Sequence, residues 1–275
     1  MYKLVNPSHL AVLLVVLCGL SLQGCVTPEG GQQPNILSTE QEIALGDKMA
    51  TEVEANEKIL NDPIIDDYVK EIGVRLARIS PRQDVPYRFT VVDNPDTVNA
   101  FALPGGHMYI YTGLMKLCQN EAQLASVMAH EIGHVAGHHH GESLTRQYGY
   151  SMLIGFILGD RSSQGAEVAA QLIGTIGELR FSRGQENESD RIGMDMMWRA
   201  GYNPEAMVSF MERMLQNEQQ QGRGQPALKF LSSHPATAER IAALQALVAQ
   251  YPADLRATSP VYAERYQEKV LNRLK

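Results

Sequence analysis

The run His130-Glu131-Ile132-Gly133-His134 decides how this chain is read. On a helix, residues four apart lie on one face, so both imidazoles can point at a single metal ion. Glu131 is turned aside from that face, yet can reach a water held by the metal. Two neutral ring nitrogens beside a carboxylate are what zinc-assisted peptide hydrolysis requires. The flanks agree: Leu124, Val127, Met128 and Val135 give a buried side to a helix expected from Asn120 to about His140.

A hydrolytic zinc site takes three protein ligands and a water. Downstream, the sequence offers two sources for the third. His140 completes the metzincin pattern His-Glu-x-x-His-x-x-Gly-x-x-His, with Gly137 in register. That pattern also needs a Met-turn, and Met194, Met196 and Met197 fall in a strongly helical context instead. The other source is Glu186-Asn187-Glu188-Ser189-Asp190. Here Glu186 and Asp190 are four apart and share a helical face. One can bind zinc while the other accepts the spare ring N–H of a ligand histidine. The acidic run is favoured, with His140 kept as the alternative. His138, His139 and His140 then read as bystanders at a helix end whose negative dipole suits imidazole.

Moving outward, the chain has 275 residues, enough for a sizeable core. Lys plus Arg is 24 against 31 for Asp plus Glu, a net charge of −7, so no excess of positive charge is present to bind phosphate and nucleic acid is excluded as a partner. At the N-terminus, Lys3 precedes an apolar run from Leu10 to Leu20 that is too short to span a bilayer but has the length of a signal-peptide core. It ends in Leu22-Gln23-Gly24-Cys25, which resembles a bacterial lipoprotein cleavage box. Residues 1–24 are therefore expected to be a lipoprotein signal peptide. Residues 25–37 would form a lipidated Cys25 and a flexible Gly/Pro tether. Val26 after the cysteine implies sorting to the outer membrane, with the body in the periplasm. Cys18 leaves with the signal and Cys25 is acylated, so Cys118 is left without a disulfide partner and reads as a small buried hydrophobe.

Residues 38–275 read as one domain. Ser38 and Thr39 stand in capping-box register with Gln41 and Glu42, opening a helix whose apolar positions continue through Leu60. Asp62-Pro63 opens a second helix, to about Ile79. Tyr87–Val92 and His107–Thr112 alternate as strands just before the metal helix, and His107–Thr112 is expected to take substrate as an added strand. Beyond it everything reads as helical. Ser143–Leu158 and Ala166–Leu179 form a hairpin that could lie over the cleft as a lid. Ser182–Ala200, a helix from Asn203-Pro204, Ala236 to about Gln250 and Val261–Leu274 follow.

Taken together, Val98-Asn99-Ala100-Phe101-Ala102-Leu103-Pro104-Gly105-Gly106, His130 to His134, Arg183 to Asp190 and Ser233-His234-Pro235 resemble the peptidases that include HtpX, the CAAX prenyl proteases, mitochondrial Oma1 and periplasmic members acting in outer-membrane protein quality control. The likeness runs from about Ser38 to Gln250. It implies an α+β, mostly α-helical, zincin-like metallopeptidase with a small β-sheet packed beside the active-site helix. It also implies one Zn2+ per chain held by His130, His134 and Glu186, with Glu131 as catalytic carboxylate and Asp190 as the accompanying acid. His234 matches a histidine that can approach the metal and regulate access to it. From the residues alone, His234, Arg240 or a nearby Tyr could stabilise the oxyanion, and the sequence does not choose among them. Ser189 stands where many relatives have Ala. The chain lacks the transmembrane helices of HtpX and the CAAX proteases, and recognition through appended tetratricopeptide repeats is not expected of it. The function this implies is a zinc metalloendopeptidase, lipid-anchored in the periplasm. Its substrates would be unfolded or misassembled envelope proteins, and a link to the outer-membrane assembly machinery follows. The alternative is a chaperone-like assembly factor with low or regulated proteolysis.

Overall fold

Side chains that accept backbone N–H groups set where the principal helices start. Ser38 Oγ accepts from Gln41 N, and Gln41 Oε1 from Ser38 N, a reciprocal box at the head of α1 (Thr39–Asn56). Asp62 caps α2 (Pro63–Ala77), where Pro63 sits in a first turn that leaves its missing N–H without consequence. The computed structural model describes residues 37–159, 171–172, 174–175, 177–220 and 228–274. The expected signal peptide, Cys25 and nearly all of the tether lie outside these residues, as does most of the stretch expected to join the lid hairpin.

Helix α1 stops at Asn56, short of the expected Leu60, because Ile59 instead bridges Val92 and Leu60 N donates to Val91 O. Three strands follow: β1 (Arg88–Val92), β2 (Ala100–Ala102) and β3 (His107–Tyr111). Their order is β1-β3-β2, with β3 parallel to β1 and antiparallel to β2. Alternation along β3 sends Met108 and Ile110 into one apolar cluster, with α2 and the metal helix, and Tyr109 and Tyr111 into another, with α1. Substrate pairing along His107–Thr112 is therefore closed off. Strand β3 is central, and Tyr109 and Tyr111 donate to Glu54 and Glu57 from the core. Strand β1 is one edge, its outer side met by Ile59 and Leu60, and the other edge is β2. It turns into β3 through Pro104–Gly106, where Gly105 (φ 74°) and Gly106 (φ 98°) adopt backbone that disfavours side chains.

After α3 (Thr112–Leu117), Asn120 caps α4 (Glu121–Ala136), which is buried from Glu121 to Val135. It ends at Ala136 rather than near His140. Gly137 leaves helical geometry and His138 (φ 59°) reverses the chain before α5 (His139–Tyr148). Gly149 (φ 80°) then breaks the single helix expected over Ser143–Leu158, and α6 (Tyr150–Leu158) follows. Ser182 caps α7 (Arg183–Arg199) through a second reciprocal box with Gln185. The remainder is α8 (Glu205–Gln220), α9 (Lys229–Ser233), α10 (Ala238–Val248), α11 (Ala253–Thr258) and α12 (Ala263–Tyr266), which runs on as a π-helical turn over Gln267–Leu271. Cys118 is buried, and burial pushes its thiol up to about 12. No helix among the described residues is long and apolar enough to cross a membrane.

The crossing of α4 and α7 positions the site. A Cβ on Gly133 would lie 2.7 Å from Ser189 O, and one on Gly193 would lie 3.1 Å from the backbone of Ala129 and His130. Glycine at both points lets the helices approach until their side chains meet. Ser189 Oγ donates to His130 O across the contact, a bond that alanine at this position would lack. The result is a mostly helical α+β fold with a small sheet beside α4, compatible with a zincin-like metallopeptidase.

Candidate metal centre

Four buried side chains converge where α4 meets α7: His130, His134, Glu186 and His234, each offering a donor atom within 4.8 Å of the others. His130 Nε2 lies 3.1 Å from His134 Nε2, 3.2 Å from His234 Nδ1 and 3.5 Å from Glu186 Oε2. Glu186 Oε1 lies 3.3 Å from His134 Nε2 and 2.9 Å from His234 Nδ1. Zinc bonds of ~2.0–2.1 Å in a tetrahedron put neighbouring donors roughly 3.3 Å apart. Three imidazole nitrogens and a carboxylate oxygen at these spacings fit such an ion in size and in chemistry.

The groups behind the donors fix their orientation. Asp190 Oδ1 lies 2.9 Å from His130 Nδ1, which turns Nε2 inward. Arg240 forks onto Asp190, Nε to Oδ2 and Nη2 to Oδ1, both at 2.7 Å, and its Nη1 reaches Glu186 Oε2 at 2.5 Å. Its shortest contacts are to the two acids, with longer ones of 3.4 Å to Pro235 O and the His130 ring. Burial pushes Asp190 up, but Arg240 and His130 outweigh it and hold the carboxyl at about 2. In Glu186, too, burial is the largest influence and acts upward. His234 and the hydrogen bonds of all three imidazoles together carry it well below the usual carboxylate range. His130 is raised to about 9: burial opposes the proton, while Asp190 and Glu186 hold it. Burial sends His134 the other way, well below the usual imidazole value.

Glu131 lies between the donors and the sheet. Its Oε2 accepts from the Ala102 backbone N–H on β2 at 3.0 Å, and its Oε1 faces His234 Nε2 at 3.3 Å. Burial raises its carboxyl, against the opposing pull of His234 and His130. His234 therefore spans two places at once, with Nδ1 among the donors and Nε2 on Glu131. It caps the short α9, and its neighbour Phe181 lies over the cluster, stacked on His134 with ring centroids 3.9 Å apart. Beside Glu131, Phe101, Leu103, Leu144, Leu179 and Phe181 line an apolar cavity of about 20 Å³. That is room for about one water. Leu179 and Phe181 belong to the approach to α7, and Leu144 to α5, so part of the stretch expected to be a lid does line the cleft.

His140 is not among the four donors. Gly137 does end α4, as the metzincin pattern asks, but the reversal at His138 brings His139 rather than His140 against His134. His134 and His139 approach Nδ1 to Nδ1 at 2.9 Å, whereas the His140 ring centroid is 6.0 Å from that of His134. None of His138, His139 and His140 is in the donor group, although His139 and His140 are buried and His138 contacts Glu42. Sequence reasoning missed His139, Phe181 and the Ala102 N–H. Only Gly137 gave a local signal, as a helix stop.

Residues 63–248 match the family model described as Peptidase family M48. A beta-barrel assembly-enhancing protease of Escherichia coli is 33% identical over 223 residues, covering 78% of this chain and 45% of that protein. The mitochondrial metalloendopeptidase OMA1 of Schizosaccharomyces pombe is 31% identical over 199 residues, covering 72% and 57%. OMA1 of Saccharomyces cerevisiae is 36% identical over 161 residues, covering 57% and 46%. The chain thus spans about half the length of these relatives.

Proposed function

This chain belongs to peptidase family M48, and on that premise we propose that it is a zinc-dependent endopeptidase using His130, His134 and Glu186 as ligands and Glu131 as general base. The observation that carries this reading is the convergence of those three donors from two helices, with Glu131 immediately beside them. A zinc ion held there would polarise a water and the scissile carbonyl.

The remaining work falls to the protein. Glu131 takes the proton of the attacking water on Oε1 and returns it to the leaving amine, while Ala102 N–H holds Oε2 in place. A carboxyl raised by burial accepts that proton more readily. Asp190 keeps the proton of His130 on Nδ1, so the Nε2 lone pair faces the cation position, and Arg240 pins Asp190 and Glu186 together. Arg240 acts as a positioning residue, since its shortest contacts hold the two acids and the rest go to Pro235 O and the His130 ring. An extended substrate would pair along the edge strand β2, next to Glu131. Proteolysis is tested by casein cleavage. Glu131→Gln is expected to lower the rate by about 10²–10⁴-fold while zinc content stays at that of the wild type. Undiminished cleavage by the variant would exclude Glu131 as the base.

His234 supports a second reading alongside the first, an assembly factor whose proteolysis is restrained. Its Nε2 lies where the proton on Glu131 must go, and the cavity beside Glu131 has no room for a peptide until Phe181 and His234 move. In that reading the histidine regulates access to the ion. The N-terminal reading supports lipid anchoring through Cys25 at the outer membrane, facing the periplasm. The name of the Escherichia coli relative, a protease that enhances beta-barrel assembly, supports a role beside assembling envelope proteins, and unfolded or misassembled ones are the substrates we propose. Mass spectrometry of the N-terminal peptide tests acylation: an unmodified Cys25 in membrane fractions would remove the anchor.

A further inference from the structure

We infer that His139 is the positioning residue for His134, holding it by an imidazole–imidazole hydrogen bond where His130 is held by a carboxylate. The inference rests on the ligand reading above and extends it to a residue outside the HExxH run. Both rings are gripped at Nδ1: His130 by Asp190 Oδ1 at 2.9 Å, His134 by His139 Nδ1 at 2.9 Å. His134 and His139 are fully buried, so no water competes for either nitrogen.

The proton positions follow from one requirement. For Nε2 of His134 to offer its lone pair to a cation, the ring's proton must sit on Nδ1. That proton points at His139 Nδ1, which must then be an acceptor and leave its own proton on Nε2. His139 Nε2 makes no hydrogen bond, and the Glu188 carboxylate lies 3.5 Å away, so the tautomer that serves His134 leaves its remaining N–H beside an anion rather than bonded to it. The His134–His139 contact itself therefore carries the assignment.

The backbone is built for this contact. A Cβ on Gly137 would meet the His139 ring, with Cε1 at 2.7 Å, so only glycine leaves room for the ring over the end of α4. His138 takes a left-handed conformation that non-glycine residues rarely adopt, and this reversal swings His139 back against the turn it has just left. Among the described residues, Tyr262 is the only other non-glycine residue with positive φ.

The test measures zinc affinity of the full chain by competition with a chromogenic chelator, for wild type, His139→Phe and His139→Asn. Phenylalanine keeps the ring's bulk but has no acceptor, and zinc affinity is expected to fall about 10–100-fold. Asparagine restores an acceptor at the height of Nδ1 and should recover most of that loss. In the zinc-loaded wild type, side-chain ¹⁵N spectra should show His134 protonated on Nδ1 and His139 on Nε2, a readout that a merely space-filling role would not set. His139→Phe binding zinc as tightly as wild type, asparagine doing no better than phenylalanine, or His139 protonated on Nδ1 would each overturn the inference. If His139→Phe does not fold, the wild-type tautomers decide alone. Wild type taking up no zinc would instead overturn the ligand reading itself.

Discussion

Three of the four donors stand on long helices, whereas the fourth sits in a bend. His130 and His134 belong to the 16-residue α4 and Glu186 to the 17-residue α7, each capped at its start and pressed together through glycine. His234 follows a five-residue helix, in a backbone conformation (φ −126°, ψ 78°) that belongs to no regular element. In the proposed function, the helices fix the donors that must stay through a reaction cycle, and the bend carries the donor whose departure would open the site. Substitutions in the helical half should therefore weaken the centre, while those in the bend should release it.

The largest expected effect on the helical half comes from Arg240→Leu. It strands the Asp190 and Glu186 carboxylates in the interior, and removing one partner of a buried ion pair costs about 3–5 kcal/mol. Denaturant unfolding of the zinc-free protein should show that loss; stability within 1 kcal/mol of wild type by the same measure would mean the fork is not part of the scaffold. Next comes Gly133→Ala, whose methyl group would press on the Ser189 backbone and push the helices apart. Overpacking of this kind costs about 1–3 kcal/mol, and zinc affinity should fall with it in the same chelator titration. A variant as stable and as tight as wild type would show that the crossing tolerates separation.

The bend should answer with the opposite sign. If the open state is a minor one of about 10%, His234→Ala should raise casein cleavage by up to about tenfold while slightly weakening zinc. Cleavage that falls on removing His234 would make it a working part of the reaction rather than a cover, and would erase the contrast between the two halves.

What the sequence disclosed divides along similar lines. The pair His130 and His134 was legible because four-residue spacing is a local property of a helix, and Glu186 with Asp190 for the same reason. The small sheet was legible from alternation in Tyr87–Val92 and His107–Thr112. Strand order was not, because which strand lies at the edge is decided by tertiary pairing; hence His107–Thr112 read as a docking strand although β3 is central. The reversal at His138 was equally hidden, since a histidine carries no mark of left-handed backbone. The break at Gly149 was not legible, and Ser143–Leu158 read as one helix where two are observed.

The most direct test of the centre is a zinc titration of wild type and Glu186→Ala side by side, read by chelator competition and by metal content. One zinc per wild-type chain is expected, with a binding constant at least about 100-fold weaker in the variant, a difference of roughly 2.7 kcal/mol. Equal affinity in the two proteins, or a wild type that takes up no metal, would contradict that expectation.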